Sequence, residues 1–271
     1  MSRGETPRTP RCRLGWQAAG KALGHLALIS ISFLESPPGL DFIFMLAEAL
    51  LLLLGHESGL VEAPGLLPKH DAQALSPFVR LGSLFARVSR CVDRWQAEQG
   101  GSLYVSALCV GIEHYLRRYR HAVRDLEDQC LRDPALPLTH LHHSLSDFTH
   151  VLAIMDGLVQ RVRVDGMRGG AVLSAVFEAS RSGYPTVRRE MQLLQRHVHK
   201  VFYNHVFSWV AYGALSDHQG EFFVHTSDSS EPVLHPPGIP SYFPSQLATV
   251  ILFIGAAVQV ISGAGHGGAS C

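Results

Sequence analysis

The sequence has no excess of either charge. Its 23 Lys and Arg residues are balanced by 23 Asp and Glu residues, so the formal net charge is zero. A protein that binds nucleic acid needs a basic face to neutralise phosphates, and this balance therefore predicts no nucleic-acid partner. Apolar residues, in contrast, are plentiful. They make up 46% of the 271 residues, which is enough to build a core and excludes wholesale disorder.

Cysteine is scarce. The chain has five cysteines, which are Cys12, Cys91, Cys109, Cys130 and Cys271. No two of them have the CxxC spacing of a zinc or redox site, and an odd number does not suit a complete disulfide framework. The sequence therefore predicts a reduced, cytoplasmic compartment.

Long apolar runs are also missing. The two longest candidates are residues 41–54 and residues 250–262. Both are shorter than the roughly 20 residues that a membrane-spanning helix needs. Each run therefore predicts a buried core helix, and we expect no membrane partner. A small membrane-associated helical protein built on these two runs is the alternative.

Catalytic motifs are absent from the sequence. There is no GxSxG nucleophile motif, and the glycines of residues 263–268 follow no strand, so they do not form a phosphate-binding loop. His140 and His143 share a helix face near Asp147 and are a possible metal pair, but they lie off the apolar stripe and are expected on the surface. His205 lies on a stripe and is expected to be a neutral core histidine. We therefore predict no enzyme, no cofactor and no metal site.

The sequence does contain a repeated pattern of apolar residues at helical spacing. After Ser76-Pro77, which suit the N-cap and first position of a helix, apolar residues recur at steps of three and four. They are Phe78, Leu81, Phe85, Val88, Val92 and Trp95. The same pattern returns in residues 105–130, 138–162 and 185–212, with a shorter helix at 171–181.

Short Gly- and Pro-containing turns separate these stripes, so successive helices are expected to pack as antiparallel neighbours. The predicted fold class is all-α, an elongated antiparallel helical bundle. A continuous coiled-coil dimer has the same spacing, but the repeated helix breakers argue against it.

The pattern divides the chain into five parts. Residues 1–41 are expected to be a disordered N-terminal extension, and residues 42–225 form the helical bundle. Residues 226–240 are rich in Ser, acidic residues and Pro and predict a flexible loop. Residues 241–262 hold the last helix, and residues 263–271 form a Gly-rich tail.

One stretch, WVAYGALSDHQGEFFV, decides between chemistry and architecture. Trp209 closes an apolar stripe, and Gly213 stands where a helix ends in a left-handed conformation. Asp217 is suited to cap nearby backbone N–H groups. Alternation puts Phe222 and Phe223 on opposite sides of the chain. Because a helix end and a tight turn account for these residues, the stretch predicts a chain reversal rather than a catalytic turn.

The same stretch carries a family resemblance. The order W-x3-G-x-L-x-D-x3-E-F-F-V, then a variable loop, then IPSYFP and ILFIG resembles the N-terminal conserved region of the gamma-tubulin complex components. The matching residues are Trp209, Gly213, Leu215, Asp217, Glu221, Phe222, Phe223, Pro240, Ser241, Pro244, Ile251, Leu252 and Gly255. Residues 169–206 fit the same region, and residues 45–62 resemble the start of the smaller, fourth-type members. The likeness spans about residues 42–262.

The resemblance implies a scaffold. Members of this family share two conserved regions, called GRIP domains; they stand side by side through their N-terminal bundles and hold gamma-tubulin with the C-terminal one, which gives a ring that nucleates microtubules. It therefore implies a non-enzymatic protein of the cytoplasm, located at microtubule-organising centres such as the spindle pole, which contacts sister components laterally.

The second conserved region has no match here. The resemblance therefore implies a truncated chain whose contact with gamma-tubulin is indirect or made through the missing region. A generic helical adaptor that binds a partner helix in a groove is the alternative function.

Overall fold

The computed structural model describes residues 40–56, 69–98, 101–133, 135–227 and 230–266. In these ranges there are seven α-helices and two short strands. The helices are α1 Leu40–Leu53, α2 Lys69–Ala97, α3 Leu103–Arg132, α4 Leu138–Val164, α5 Gly170–Ser180, α6 Pro185–Tyr212 and α7 Ser245–His266. The predicted all-α class is confirmed. The expected N-terminal extension lies almost entirely outside the described residues.

The long helices α2, α3 and α6 pack as antiparallel neighbours. Between α2 and α3, the Phe85 and Tyr119 rings lie 5.0 Å apart. Between α3 and α6, Tyr104 near the start of α3 meets His205, and Arg118 in the middle of α3 pairs with Glu190 near the start of α6. The two numberings run in opposite directions, although α4 and α5 separate these two helices in the chain and no short turn joins them. Buried apolar side chains from all seven helices form one core cluster.

The first helix confirms the prediction of a buried core helix. Leu50 and Leu53 are buried, and the Tyr119 hydroxyl of α3 donates a hydrogen bond to the Leu53 carbonyl over 2.8 Å. A Cβ atom at Gly82 of α2 would lie 1.7 Å from the Leu52 carbonyl oxygen. The α1 backbone can therefore approach α2 only because residue 82 is glycine.

The predicted start of α2 was wrong. Ser76 is not an N-cap and Pro77 is not a first helical residue, because the helix begins at Lys69 and Pro77 lies inside it. Proline has no N–H to donate to the carbonyl four residues earlier, which belongs to Gln73. The Ser76 hydroxyl donates to that carbonyl instead, over 2.9 Å. This replacement bond explains how the helix tolerates a proline.

The loop predicted at residues 226–240 was also partly wrong. Strands β1, Val224–Ser227, and β2, Ser230–Leu234, form an antiparallel hairpin that pairs Val224 with Leu234. A 3₁₀ helix, Pro236–Gly238, follows the hairpin. Pro232 lies in β2, and a two-stranded sheet accepts it because both of its strands are edges.

The last helix differs most from expectation. It continues to His266, so residues 263–266 belong to a helix rather than to the predicted tail. It is not a buried core helix, because large apolar residues on its outer side are exposed. It also runs parallel to α6: Gly255 lies against Trp209 and Gln259 against Gly213, so both numberings rise together. Residues 214–244 connect the two helices and return the chain towards the start of α6, so α7 can run in the same direction as α6.

Candidate functional site

The candidate site is the junction where the end of α6, the following turn and α7 meet. Trp209 is fully buried there, and its indole Nε1 donates to the Ile251 carbonyl of α7 over 3.0 Å. A Cβ atom at Gly255 would lie 2.1 Å from the same Nε1. The indole ring therefore occupies space that only a glycine leaves open, and its polar atom is satisfied.

Gly213 ends α6 as predicted. Its φ is +62°, in the left-handed region, and its N–H donates to the Trp209 carbonyl over 2.9 Å. A Cβ atom at this position would lie 2.7 Å from the Gln259 backbone nitrogen. Gly213 thus serves two purposes: it terminates one helix and lets another pass close by. Leu215, two residues later, packs partly buried against the core.

Asp217 closes the reversal. Its Oδ2 accepts a hydrogen bond from the Phe222 backbone N–H over 2.7 Å, which confirms the predicted local capping role. Gly220 makes the second turn at a φ of +62°. A cavity of about 390 Å³ opens beside this turn, lined by Asp217, Gly220 and residues of the hairpin, including His225 and Glu231.

Glu221 has a structural role that sequence reasoning missed. Its Oε2 accepts from the Leu103 backbone N–H over 3.1 Å, and the Ser102 hydroxyl accepts from the Val105 N–H over the same distance. Two unpaired N–H groups at the start of α3 are thereby satisfied, one of them by a negative charge that the helix dipole favours. No local motif could reveal this bond, because 118 residues separate its partners.

Both aromatic residues that follow Glu221 are buried. Phe222 and Phe223 are each fully buried, as expected for a pair packed against the bundle, but their ring centroids lie 4.1 Å apart, so the predicted placement on opposite sides of the chain was wrong. These two residues precede β1 and lie in a bend rather than a strand, so the two-residue period does not apply to them. Both rings lie 5.9 Å from the Phe202 ring of α6, and Phe243 completes the cluster.

The segment before α7 is fixed to α5. Pro240 is buried, and the Ser241 backbone N–H donates to the Ser174 hydroxyl over 2.9 Å. Pro244 lies exposed just before α7, and its carbonyl accepts from the Leu247 and Ala248 N–H groups. These three motif residues therefore lie around the start of α7. Trp209 and Gly213, at the end of α6, instead lie against the middle of α7, where Gly255 is.

A buried polar pair lies beside the aromatic cluster. The Tyr104 hydroxyl lies 3.1 Å from His205 Nδ1, and both side chains are buried. Burial lowers the pKa of His205 below its ordinary value of 6.5, although Asp217 and Glu221 oppose part of that shift. Burial also raises the pKa of the Tyr104 hydroxyl. The prediction of a neutral core histidine at position 205 is therefore confirmed, with Tyr104 as its partner.

The remaining candidates for chemistry do not converge. His140 and His143 are exposed on α4, as predicted. Among the residues that the structure describes, no group of three or more His, Cys, Asp or Glu side chains could hold a metal ion. The acids at positions 217 and 221 bind backbone N–H groups. The junction is thus built to fix helices in place.

The outer side of α7 is the most exposed apolar surface near the junction. Phe253, Val260 and Ile261 are each more than 70% exposed. In the described part of the chain, α7 contains one stretch, residues 245–262, that is long and apolar enough to cross a membrane by length and composition. The expectation that this run was too short to do so was wrong, because the helix begins before residue 250.

Comparison with known proteins identifies relatives of this architecture. The family model described as "Gamma tubulin complex component N-terminal" matches residues 46–270. Gamma-tubulin complex component 4 of Mus musculus is 28% identical over 211 residues, which covers 69% of this chain and 32% of that protein. Gamma-tubulin complex component 3 of Arabidopsis thaliana is 29% identical over 209 residues, which covers 67% of this chain and 24% of that protein.

The matched portion is short relative to these proteins, since the chain spans about a third or less of the length of the curated relatives it matches. The family model nevertheless includes every helix from α2 to α7 and the whole junction. The family model covers well over half of the chain, so the resemblance read from the sequence is confirmed. The protein belongs to the gamma-tubulin complex component family.

Proposed function

We propose that this protein is a structural, non-catalytic subunit of a gamma-tubulin complex that nucleates microtubules in the cytoplasm at microtubule-organising centres. The observation that carries the proposal is the family match over residues 46–270, which takes in nearly all of the described helical bundle. The relatives are named as components of that complex. This match supports the scaffold and gives no support to a generic helical adaptor.

Its partners are sister components, contacted laterally through the bundle. The contact with gamma-tubulin is indirect, made through the sister components. Alternatively, it is made by a region corresponding to the part of the relatives that lies outside the matched third. The motif residues contribute to this role indirectly. Trp209, Phe222 and Phe223 are fully buried and cannot contact a neighbouring subunit. Their contribution is to hold the turn and α7 in a fixed position, which a lateral contact requires.

The test is recovery of the complex from cells. An affinity-tagged chain is expressed and purified gently, and the recovered proteins are identified by mass spectrometry. We expect gamma-tubulin complex components to co-purify and to co-sediment with the chain. The test variant is Trp209→Ala, which removes the indole that joins α6 to α7 and should reduce recovery.

Failure has a definite form. If the wild-type chain is folded and well expressed but recovers no gamma-tubulin complex component, the proposed function is wrong. Recovery of unrelated helical partners alone would favour the adaptor instead.

A further inference from the structure

Charge is unevenly distributed along this neutral chain. Residues 103–124 of α3 and residues 185–212 of α6 together contain eight Lys or Arg residues and two Asp or Glu residues. Because the whole chain has 23 of each kind, the remaining residues carry an excess of six acids. The two neighbouring helices therefore form a basic region in a protein without net charge.

Both acids of this region are already paired. Glu113 accepts a hydrogen bond from Arg120 over 3.1 Å. Glu190 is only 5% exposed and forms ion pairs with Arg118 and Arg189. Four exposed basic side chains form no ion pair with any acid that the structure describes: Arg117, Arg124, Arg196 and Lys200. Their charges are available to a second molecule.

These basic side chains belong to two exposed rows at helical spacing. The row on α6 has steps of four, three and four and consists of Arg189, Leu193, Arg196 and Lys200. The row on α3 has steps of four, three, four and three and consists of Val110, His114, Arg117, His121 and Arg124. We call the two rows together the basic face.

The contact between α3 and α6 brings the two rows side by side. A Cβ atom at Gly111 of α3 would lie 2.5 Å from the Leu194 side chain of α6 and 3.2 Å from the His197 ring. The ring centroids of His114 and His197 are 6.5 Å apart. The two backbones therefore approach closely, and the rows form one surface.

Both rows lie on the side of the helix pair that faces away from the core. A helix turns by about 100° per residue, so the residues before and after a contact point to opposite sides of it. On α3, Val110 before Gly111 is exposed and Ile112 after it is buried. On α6, Arg196 before the contact is exposed and Val198 after it is buried. Because the helices are antiparallel, the same offset on each puts both rows on one outer surface.

The charge of the basic face limits what can bind to it. Taking an ammonium or guanidinium group out of water is costly unless an acid meets it. An apolar helix or a hydrocarbon surface therefore does not fit, and a basic surface is repelled. A molecule that covers this face must present acidic groups.

The apolar side chains in the rows favour a protein segment over a nucleic acid. Val110 is 57% exposed and Leu193 is 38% exposed, and both stand among the charges at helical spacing. An amphipathic acidic helix can match the apolar and the charged positions together, whereas a phosphate backbone matches only the charges. The acids elsewhere in the chain also oppose long-range attraction of a polyanion, which a binding site for nucleic acid relies on.

We propose that the basic face of α3 and α6 binds an acidic, amphipathic helical segment of another protein. Carboxylates of the segment pair with the Arg117 and Arg196 guanidinium groups in two-pronged contacts, and with the Lys200 ammonium as a point charge. Its apolar side chains contact Val110 and Leu193. The proposal does not depend on membership of a gamma-tubulin complex.

The test is the fluorescence anisotropy of a labelled acidic peptide titrated with the full 271-residue chain. The probe has three heptads, each with three glutamates and two leucines, and a matched peptide carries lysine at every glutamate position. We expect the acidic peptide to bind at low ionic strength and to weaken as salt is added, whereas the lysine peptide does not bind. No binding of the acidic peptide, or equal binding of the two, overturns the proposal.

Charge reversal then locates the contact. Arg196→Glu with Lys200→Glu should weaken binding of the acidic peptide at least about tenfold. The matched control, Arg80→Glu with Arg94→Glu, makes the same change in net charge at exposed positions of α2 and should weaken it by less than about twofold. Equal losses would mean that the peptide senses the charge of the whole molecule, and would overturn the proposal.

Circular dichroism accompanies each variant, so that loss of binding is not confused with loss of the fold. The substituted residues are exposed, and we expect unchanged helix content. A single substitution on the other helix, Arg117→Glu, tests the face independently and should weaken binding about threefold. Undiminished binding by this variant and by the double variant of α6 would place the peptide elsewhere and overturn the proposal.

Two other classes of occupant are tested in parallel. The probes are a labelled single-stranded RNA oligonucleotide and vesicles that contain phosphatidylserine. If either one binds the wild-type chain but not the double variant of α6, and the acidic peptide does not bind, the face belongs to nucleic acid or to anionic lipid and the proposal is wrong. None of these outcomes bears on the gamma-tubulin complex, which is tested by co-purification.

Discussion

The two sides of α7 are both apolar but have opposite environments. On the inner side, Ala248, Ile251 and Gly255 are buried against the bundle, whereas Val250 and Phe253 on the outer side face solvent. Both sides are apolar and uncharged, so hydrophobicity alone does not distinguish them. Backbone geometry does: the inner side contains the glycine that admits the Trp209 ring. The close approach of α6 and α7 that Gly255 allows therefore identifies the side of α7 that packs against its own bundle.

The comparison predicts that removing the aromatic ring of α6 that packs on the inner side of α7 will cost far more than removing an aromatic ring from the outer side of α7. Trp209→Ala removes a fully buried ring and its hydrogen bond to Ile251, and should lower the free energy of unfolding by about 3–5 kcal/mol. Phe253→Ala removes an exposed ring and should change it by less than about 0.5 kcal/mol. Urea denaturation at low protein concentration measures both. Equal costs would erase the distinction between the two sides.

A smaller effect is expected from a single methyl group. Gly255→Ala forces the Trp209 ring to move and should destabilise the protein by about 1–3 kcal/mol. Gly157, in the middle of α4, has no atom within 4 Å of the Cβ that it lacks, so Gly157→Ala should stabilise by about 0.5–1 kcal/mol. Thermal and chemical denaturation should give opposite signs for the two. A stabilised Gly255→Ala variant would show that α7 does not pack closely on Trp209.

The polar side of the junction can be tested in the same way. Glu221→Ala leaves the Leu103 N–H without its acceptor and should cost about 1–2 kcal/mol. Glu221→Gln keeps an acceptor and loses only the charge, so it should cost less. The control is Glu178→Ala, which removes an exposed ion pair with Arg161 and should cost less than about 0.5 kcal/mol. Hydrogen exchange at Leu103 should accelerate only in the first two variants.

The smallest effect concerns pH. Because the pKa of His205 lies below 6.5 in the folded protein, the unfolded chain binds a proton at mildly acidic pH that the folded chain does not. Stability should therefore fall as the pH drops below about 6.5 and continue to fall towards the lowered pKa. His205→Gln keeps an acceptor for the Tyr104 hydroxyl but does not titrate in this range, so it should flatten this dependence. An unchanged pH profile would mean that His205 is solvated.

Local signals in the sequence predicted a large part of this structure. The bounds of α6 follow from Pro185, which suits a first helical position, and from Gly213, which ends the helix. The stripe of α4 was predicted equally well, because Leu141, Leu145 and Leu152 are buried at the expected period. In these cases the information lies within a few residues of the feature it determines.

The errors arose where distant residues or replacement bonds decide the outcome. The start of α2 was missed because the Ser76 hydroxyl substitutes for a backbone donor that Pro77 lacks. The role of Glu221 was missed because its partner lies on another helix. The exposed side of α7 was missed because an apolar pattern shows that a surface suits contact, but does not show which molecule supplies the contact.

The bond between Glu221 and Leu103 also has a consequence for the order of folding. Synthesis proceeds from the N-terminus, so α3 leaves the ribosome long before residue 221 exists. Its first turn then has Ser102 as a cap but lacks the second acceptor, which arrives 118 residues later. Closing so long a loop is entropically costly until α6 is in place. Protection of the Leu103 amide is therefore a late event, and it reports that the nascent chain has completed its bundle.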